Sequence, residues 1–261
     1  MNILEKIAEH TKIRVEKAKE EISFEKMMEL AYKKEKGDLP FEKALKSAGL
    51  SFICECKKAS PSKGIIAEDF PYLNIAKDYE EAGADCISVL TEPEWFLGKN
   101  EYAREIVRNV KIPVIRKDFT VDPYMIYEAK DLGASAVLLI VSILSKEQLE
   151  DYLRICRELG LSALVETHDE KEIDIALSAG AGIIGVNNRN LKDFSVDSSL
   201  AGRMRKMIPE DKVFVSESGI KSEKDVLKVR DSGADAVLIG EMLMKADDRK
   251  ATLKHLKEIT A

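Results

Sequence analysis

Four similar turns, recurring about every fifty residues, predict an α/β chain closed into a (β/α)8 TIM barrel with an N-terminal helical extension. They are Glu81-Ala-Gly-Ala-Asp-Cys-Ile-Ser-Val-Leu, Asp131-Leu-Gly-Ala-Ser-Ala-Val-Leu-Leu-Ile, Ser178-Ala-Gly-Ala-Gly-Ile-Ile-Gly-Val and Asp231-Ser-Gly-Ala-Asp-Ala-Val-Leu-Ile-Gly. Each ends a helix, turns at Gly-Ala and runs on into an apolar strand. A further strand fits between each pair, at 113–117, 162–166 and 213–217, and an opening strand at 52–58 brings the number to eight. Continuously apolar strands that alternate with helices require a parallel sheet covered on its outer side. A doubly wound open sheet is the alternative, but no Gly-x-Gly-x-x-Gly follows the first strand.

Composition sets the outer limits. With 261 residues, 45% of them hydrophobic, one large core is affordable, so a single domain is expected over 1–261, divided into an extension at 1–50 and a barrel at 51–261. Charges of 41 basic against 47 acidic leave a net of −6, which argues against a nucleic-acid binder. Local lysines and helix N-termini still attract an anionic substrate. No signal-peptide segment opens the sequence. The longest apolar run, near 136–144, falls far short of the roughly 18 residues of a membrane span, so a cytoplasmic protein is expected. Cys54, Cys56, Cys86 and Cys156 have no CxxC spacing and read as reduced core residues. Zinc at Cys54 and Cys56 would need a second ligand pair, and none follows.

In chain order, Leu4, Ile7, Ala8, Thr11, Val15, Ala18 and Ile22 recur at spacings of three and four and predict an amphipathic helix. A second helix is expected over 24–34, and a short one after Asp38-Leu39-Pro40, since proline suits a helix's first turn. Their mixed-sign charges mark solvated faces. The opening strand, Phe-Ile-Cys-Glu-Cys-Lys-Lys, then places Phe52, Cys54 and Cys56 on one face and Ile53, Glu55 and Lys57 on the other. A carboxylate and an ammonium so placed need a polar cavity at the strand's end. The loop that follows, Ala59-Ser60-Pro61-Ser62-Lys63-Gly64, has few apolar anchors and is expected to be mobile when empty.

Polar residues of the other strands collect at the same end: Lys117, Glu166, Asn187 and Glu217. Stepping back by two from Glu166, Glu217 and Asn187 reaches Leu164, Val215 and Gly185, so each can point inward above an apolar layer. Rim salt bridges that hold strands together without chemistry are the alternative reading of such a set, and the less favoured one. His168, just past Glu166, has no partner motif and is expected on a surface loop. No Gly-x-Ser-x-Gly supports serine chemistry. After the seventh strand, Ser218-Gly219-Ile220 and, after the eighth, Gly240-Glu241 offer backbone N–H groups as a phosphate cradle.

Glu55-Cys-Lys-Lys-Ala-Ser-Pro-Ser, Lys117-Asp-Phe, Leu164-Val-Glu, Asn187-Asn-Arg and Glu217-Ser-Gly-Ile, in this order, closely resemble indole-3-glycerol phosphate synthase over nearly the whole chain, N-terminal helices included. The resemblance implies a carboxy-lyase of tryptophan biosynthesis that closes the indole ring of 1-(2-carboxyphenylamino)-1-deoxyribulose 5-phosphate with loss of carbon dioxide and water. It implies no metal or organic cofactor. The implied partner is that small sugar phosphate, with no nucleic acid and no membrane, and the chain is expected to act as a monomer. By resemblance, Lys117 is the general acid at the substrate carbonyl and Glu166 an acid/base group in later steps. Lys57 contacts the substrate carboxylate, and Glu55 is its carboxylate partner and a base. Asn187, Arg189, Glu217 and Ser218 position substrate, while Ser60, Gly219 and Gly240 bind phosphate. Pro61, Trp95, Phe96, Phe119 and Leu138 wall the anthranilate ring. Glu241 stands where many relatives have a small hydroxyl residue, so it is expected to offer its N–H and turn its carboxylate away. Lys117, near Lys57 in a cavity partly closed to water, is expected to have a lowered pKa. A phosphoribosylanthranilate-type isomerase would need a cysteine and an aspartate where Lys57 and Glu217 stand. A silent phosphosugar-binding barrel is disfavoured by Lys117 and Glu166.

Overall fold

The computed structural model describes residues 2–190 and 194–261. Eight strands close into a parallel barrel: β1 (Ser51–Cys56), β4 (Cys86–Leu90), β5 (Val114–Lys117), β6 (Ala136–Ile140), β7 (Ser162–Thr167), β8 (Ile183–Asn187), β9 (Val213–Glu217) and β10 (Ala236–Ile239). The ring shuts where Ser51 of β1 registers with Ala236 of β10. The four recurrent turns take the form their sequence demands. Gly83, Gly133, Gly180 and Gly233 have φ between +76° and +91°, a region open to glycine and strained for a residue with Cβ. They end helices α4 (Tyr72–Glu81), α6 (Pro123–Leu132), α8 (Glu170–Ser178) and α10 (Glu223–Asp231), and each then feeds an inner strand. The remaining outer helices are α5 (Asn100–Asn109), α7 (Lys146–Leu159), the short α9 (Leu200–Met204) and α11 (Glu241–Met244), and α12 (Arg249–Thr260).

Strand alternation divides the core in two layers. On β1, Ile53 joins Ile115, Leu164, Val213 and Val215 inside the barrel, whereas Phe52, Cys54 and Cys56 pack outward against the helices. All four cysteines are buried and free.

The N-terminal segment closes both ends of the barrel. Helix α1 (Ile3–Glu21), started by an Asn2–Glu5 capping box, lies at the C-terminal mouth and sends Leu4 and Ile7 into the interior cluster. Arg14 on this helix donates to Asp118, just after β5, at 2.7 Å, and Lys19 pairs with Asp122 at 2.8 Å. Helix α2 (Phe24–Lys33) packs on α6 through Met27 and Ala31. Helix α3 (Pro40–Leu45) plugs the opposite end with Phe41 and Leu45, both fully buried, and its Glu42 N–H donates to Ser162 Oγ at 3.2 Å. Burying two such side chains contributes about 1.5–3 kcal/mol each.

The opening strand stops at Cys56, short of the expected 58, and the next stretch is not a bare loop. Ala59–Ser60 (β2) and Gly64–Ile65 (β3) form a small antiparallel hairpin, with Ala59 and Ser60 buried. A pleated pair satisfies backbone groups that the scarcity of apolar side chains would otherwise leave to water. Among the described residues no helix is long and apolar enough to cross a membrane, and no cluster of His, Cys, Asp and Glu is arranged to hold a metal ion.

Candidate active site

The strand-end charges converge as their parity requires. A cavity of about 1160 Å³, counting its open mouth, sits at the C-terminal end of the barrel. Glu55, Lys57, Lys117, Glu166, Asn187 and Glu217 all line it. Lys57 pairs with Glu55 at 2.7 Å, and Ser88 Oγ donates to the other oxygen of Glu55 at 3.2 Å. Lys117 Nζ stands between two further carboxylates, 3.4 Å from Glu166 Oε2 and 3.5 Å from Glu217 Oε2.

These neighbours reverse the expected lowering of the Lys117 pKa. Burial by itself lowers it, but Glu217, Glu166 and Glu55 together raise it above the ordinary lysine value. Lys57, the like charge invoked from sequence, is already paired with Glu55. The carboxylates separate. Burial raises Glu166, but Lys117, His168 and a hydrogen bond from Asn187 bring it down to about 2. Burial raises Glu217, Lys117 offsets only part of this, and the repulsion of Glu166 and Glu55 adds to it, so Glu217 holds its proton up to about 8. Its side chain fills the space over Gly185, where a Cβ would come within 2.2 Å of Oε1. That oxygen has no hydrogen-bond partner.

The proposed anion pole lies at the same mouth, with Gly240 beside the Lys57–Glu55 pair. Ser60, Ser218, Gly219, Gly240 and Glu241 line the same cavity, and Ser218 and Gly219 both have positive φ (65° and 85°), which turns successive backbone groups inward. A Cβ on Gly240 would sit 2.7 Å from Glu55 Oε1 and 3.2 Å from Lys57 Nζ, so only glycine fits beside that pair. Glu241 begins α11 and its carboxylate is drawn to Lys245, which caps the C-terminus of that helix, at 2.7 Å. Arg189 also lines the cavity, its N–H bonded to Asn187 Oδ1 at 3.0 Å.

The apolar wall differs in part from expectation. Pro61, Phe96, Phe119 and Leu138 line the cavity, with the Phe96 and Phe119 ring centres 5.9 Å apart. Trp95 does not line it. The buried Glu92 carboxylate accepts from the backbone N–H groups of Glu94, Trp95 and Phe96, which fixes the loop so that Phe96 faces the cavity while Trp95 packs edge-on against His10 of α1 at 5.3 Å. In its place α1 supplies Ile3, Leu4 and Ile7 to the wall, a contact that local sequence does not announce.

His168 is no isolated surface residue either. Its Nε2 lies 3.3 Å from Glu166 Oε1 and its Nδ1 3.0 Å from Glu172 Oε2, with Ser142 Oγ 3.2 Å from Nδ1. The signal was present: residues 166 and 168 share strand parity, and 172 follows one helical turn on.

A parallel barrel with ammonium and carboxylate groups at the C-terminal rim, an apolar wall and a backbone cradle defines a class, the acid–base enzymes that act on small phosphorylated substrates. Comparison with known proteins narrows it. The family model described as indole-3-glycerol phosphate synthase matches residues 4–256. Indole-3-glycerol phosphate synthase of Ruminiclostridium cellulolyticum is 55% identical over 98% of each chain, and that of Endomicrobium trichonymphae is 54% identical over 98% of this chain and 100% of its own. The chain belongs to the indole-3-glycerol phosphate synthase family. Among solved structures, thiamine phosphate pyrophosphorylase from Pyrococcus furiosus superposes with a TM-score of 0.62 at 16% identity, covering 84% of this chain and 96% of that one. A phosphoribosylanthranilate isomerase from Thermotoga maritima gives 0.58 at 18% identity, covering 80% and 99%. At such identities they share the fold alone.

Proposed function

We propose that this rim converts 1-(2-carboxyphenylamino)-1-deoxyribulose 5-phosphate into indole-3-glycerol phosphate, releasing carbon dioxide and water, the carboxy-lyase step of tryptophan biosynthesis. The observation that carries the reading is Lys117, an ammonium centred between Glu166 and Glu217 beneath an apolar wall. An aromatic carbon attacks a carbonyl only when the oxygen is protonated or strongly polarised. With its raised pKa, Lys117 is always loaded at working pH. It polarises the carbonyl first and gives up its proton as ring closure builds alkoxide charge, because an alkoxide is a stronger base than the amine.

The anthranilate ring lies against Phe96, Phe119, Pro61 and Leu138, with its carboxylate toward Lys57 and the phosphate toward Ser60, Gly219 and Gly240. Asn187, Arg189 and Ser218 orient the sugar chain. Carbon dioxide then departs without a proton and restores a neutral ring precursor, and hydroxyl loss as water needs an acid. Glu166, ionised, serves as the base that takes the aromatising proton, while Glu217 and the Lys57–Glu55 pair stand next to the leaving group. The chain acts as a cytoplasmic monomer in this reading.

The test is a fluorescence assay for indole product, with purified protein and the carboxyphenylamino substrate. Product at catalytic turnover supports the reading. Tight binding of the substrate without product would leave only a phosphosugar-binding barrel.

A further inference from the structure

Lys117 cannot by itself decide which neighbouring glutamate is ionised, since Glu166 and Glu217 approach it at 3.4 and 3.5 Å. Two buried carboxylates that share one ammonium hold a proton between them, and the macroscopic titrations belong to the pair until something breaks the symmetry. The environments differ in one charged contact: His168 touches Glu166.

We propose that His168 is a positioning residue that assigns the proton of this pair, holding Glu166 as the carboxylate and leaving the proton on Glu217. The imidazole is clamped for that purpose. Glu172 Oε2 accepts from the His168 backbone N–H at 2.7 Å and lies 3.0 Å from Nδ1, while Ser142 Oγ donates to the other oxygen of Glu172 at 2.6 Å. This leaves Nε2 directed at Glu166. At 3.3 Å the approach is that of an ion pair, off the line of a good hydrogen bond, and Nε2 has no other partner.

Charge agrees with geometry. Burial alone lowers the His168 pKa, but Glu166 and Glu172 overcome it and raise it to about 10, so the ring is a cation at neutral pH. The other groups around it do not cancel this. Asp169 follows it in the chain, and Glu5 of α1, Arg189 after β8 and Asp197 line the second cavity, of about 1260 Å³ counting its mouth, into which the ring's far side opens. Asn187 supports the same assignment with an uncharged hydrogen bond to Glu166. Glu55 adds repulsion at Glu217.

The inference rests on reading Glu166 and Glu217 as the acid–base pair, and a readout independent of turnover separates the two. Carboxyl-13C NMR of glutamate-labelled protein, with signals assigned through Glu166→Gln and Glu217→Gln, follows each group directly. In wild type, Glu166 should stay ionised below the ordinary carboxylate range and Glu217 should keep its proton above that range. In His168→Gln, which fills the site without a cation, Glu166 should be partly protonated at pH 7, and kcat/KM there should fall roughly two- to tenfold. His168→Arg has room in the second cavity and restores a cation, so it should return both readouts toward wild type, which a space-filling role does not predict. A wild-type Glu166 signal in a folded His168→Gln protein would overturn the proposal. If the signal moves and kcat/KM does not, the proposal stands and the base role of Glu166 falls.

Discussion

The two ends of the barrel are closed by parts of one N-terminal segment, yet they are built of opposite material. At the N-terminal end, α3 drives Phe41 and Leu45 into a dry plug. At the C-terminal end, α1 lays Leu4 and Ile7 beside Glu55, Lys117, Glu166 and Glu217, all largely withdrawn from water. Apolar burial yields free energy in proportion to area, whereas a buried ion pair repays its desolvation cost only with excellent geometry and full hydrogen bonding. One end therefore stabilises the fold, and the other retains charge that stability does not require.

The largest expected effect breaks the charged end. Lys117→Met should lower turnover by roughly 10²–10⁴, the range for a lost general acid. It should leave the fold standing, because each carboxylate keeps another means of support: Glu55 has Lys57, Glu166 has His168, and Glu217 is already protonated near neutral pH.

Phe41→Ala breaks the other end. A buried Phe→Ala change costs about 3–5 kcal/mol, to be seen in the chemical denaturation midpoint, while turnover per folded molecule should hold. Gly219→Asp sharpens the division within the rim itself. It places a negative charge where backbone must approach phosphate, and a Cβ 2.9 Å from Val196 Cγ1 at a φ of +85°, so KM should rise at least tenfold, roughly a lost charged contact, with less effect on bound-state rate. An unchanged KM with collapsed turnover would remove Gly219 from the phosphate pole.

The smallest effect is a pH dependence of stability. The folded Glu217 pKa, about 8, lies above the ordinary carboxylate value of 4.5, so its proton stabilises the fold below 4.5 and that contribution is lost as pH rises through 8. Glu166, lowered to about 2, runs the other way, contributing above 4.5 and losing that contribution as pH falls toward 2. The melting temperature of Glu217→Gln should accordingly gain on wild type between pH 4.5 and 8. A constant difference would mean that Glu217 is ionised throughout.

The barrel was legible because its signals are local. Gly-Ala turns fix helix ends, and strand parity alone carries Glu55, Lys57, Glu166, Asn187 and Glu217 to one rim. What was not legible depends on approach through space. The Lys117 pKa turns on distances that sequence does not give: three carboxylates prevail over one lysine that Glu55 has already neutralised. Trp95 and Phe96 are adjacent in sequence and alike in chemistry, and a buried carboxylate at Glu92 decides which one faces the cavity. His168 carries no motif, yet both of its carboxylate partners are near in sequence, Glu166 two residues before it by strand parity and Glu172 one helical turn after it.

The contrast between the two ends is tested most directly by measuring single-turnover rate and melting temperature on the same preparations of Lys117→Met and Phe41→Ala. The two should cross, with rate lost and melting temperature kept in the first, and melting temperature lost and rate kept in the second. A Lys117→Met protein that melts early yet turns over normally would make the rim a structural ion-pair network and contradict the mechanism built on it.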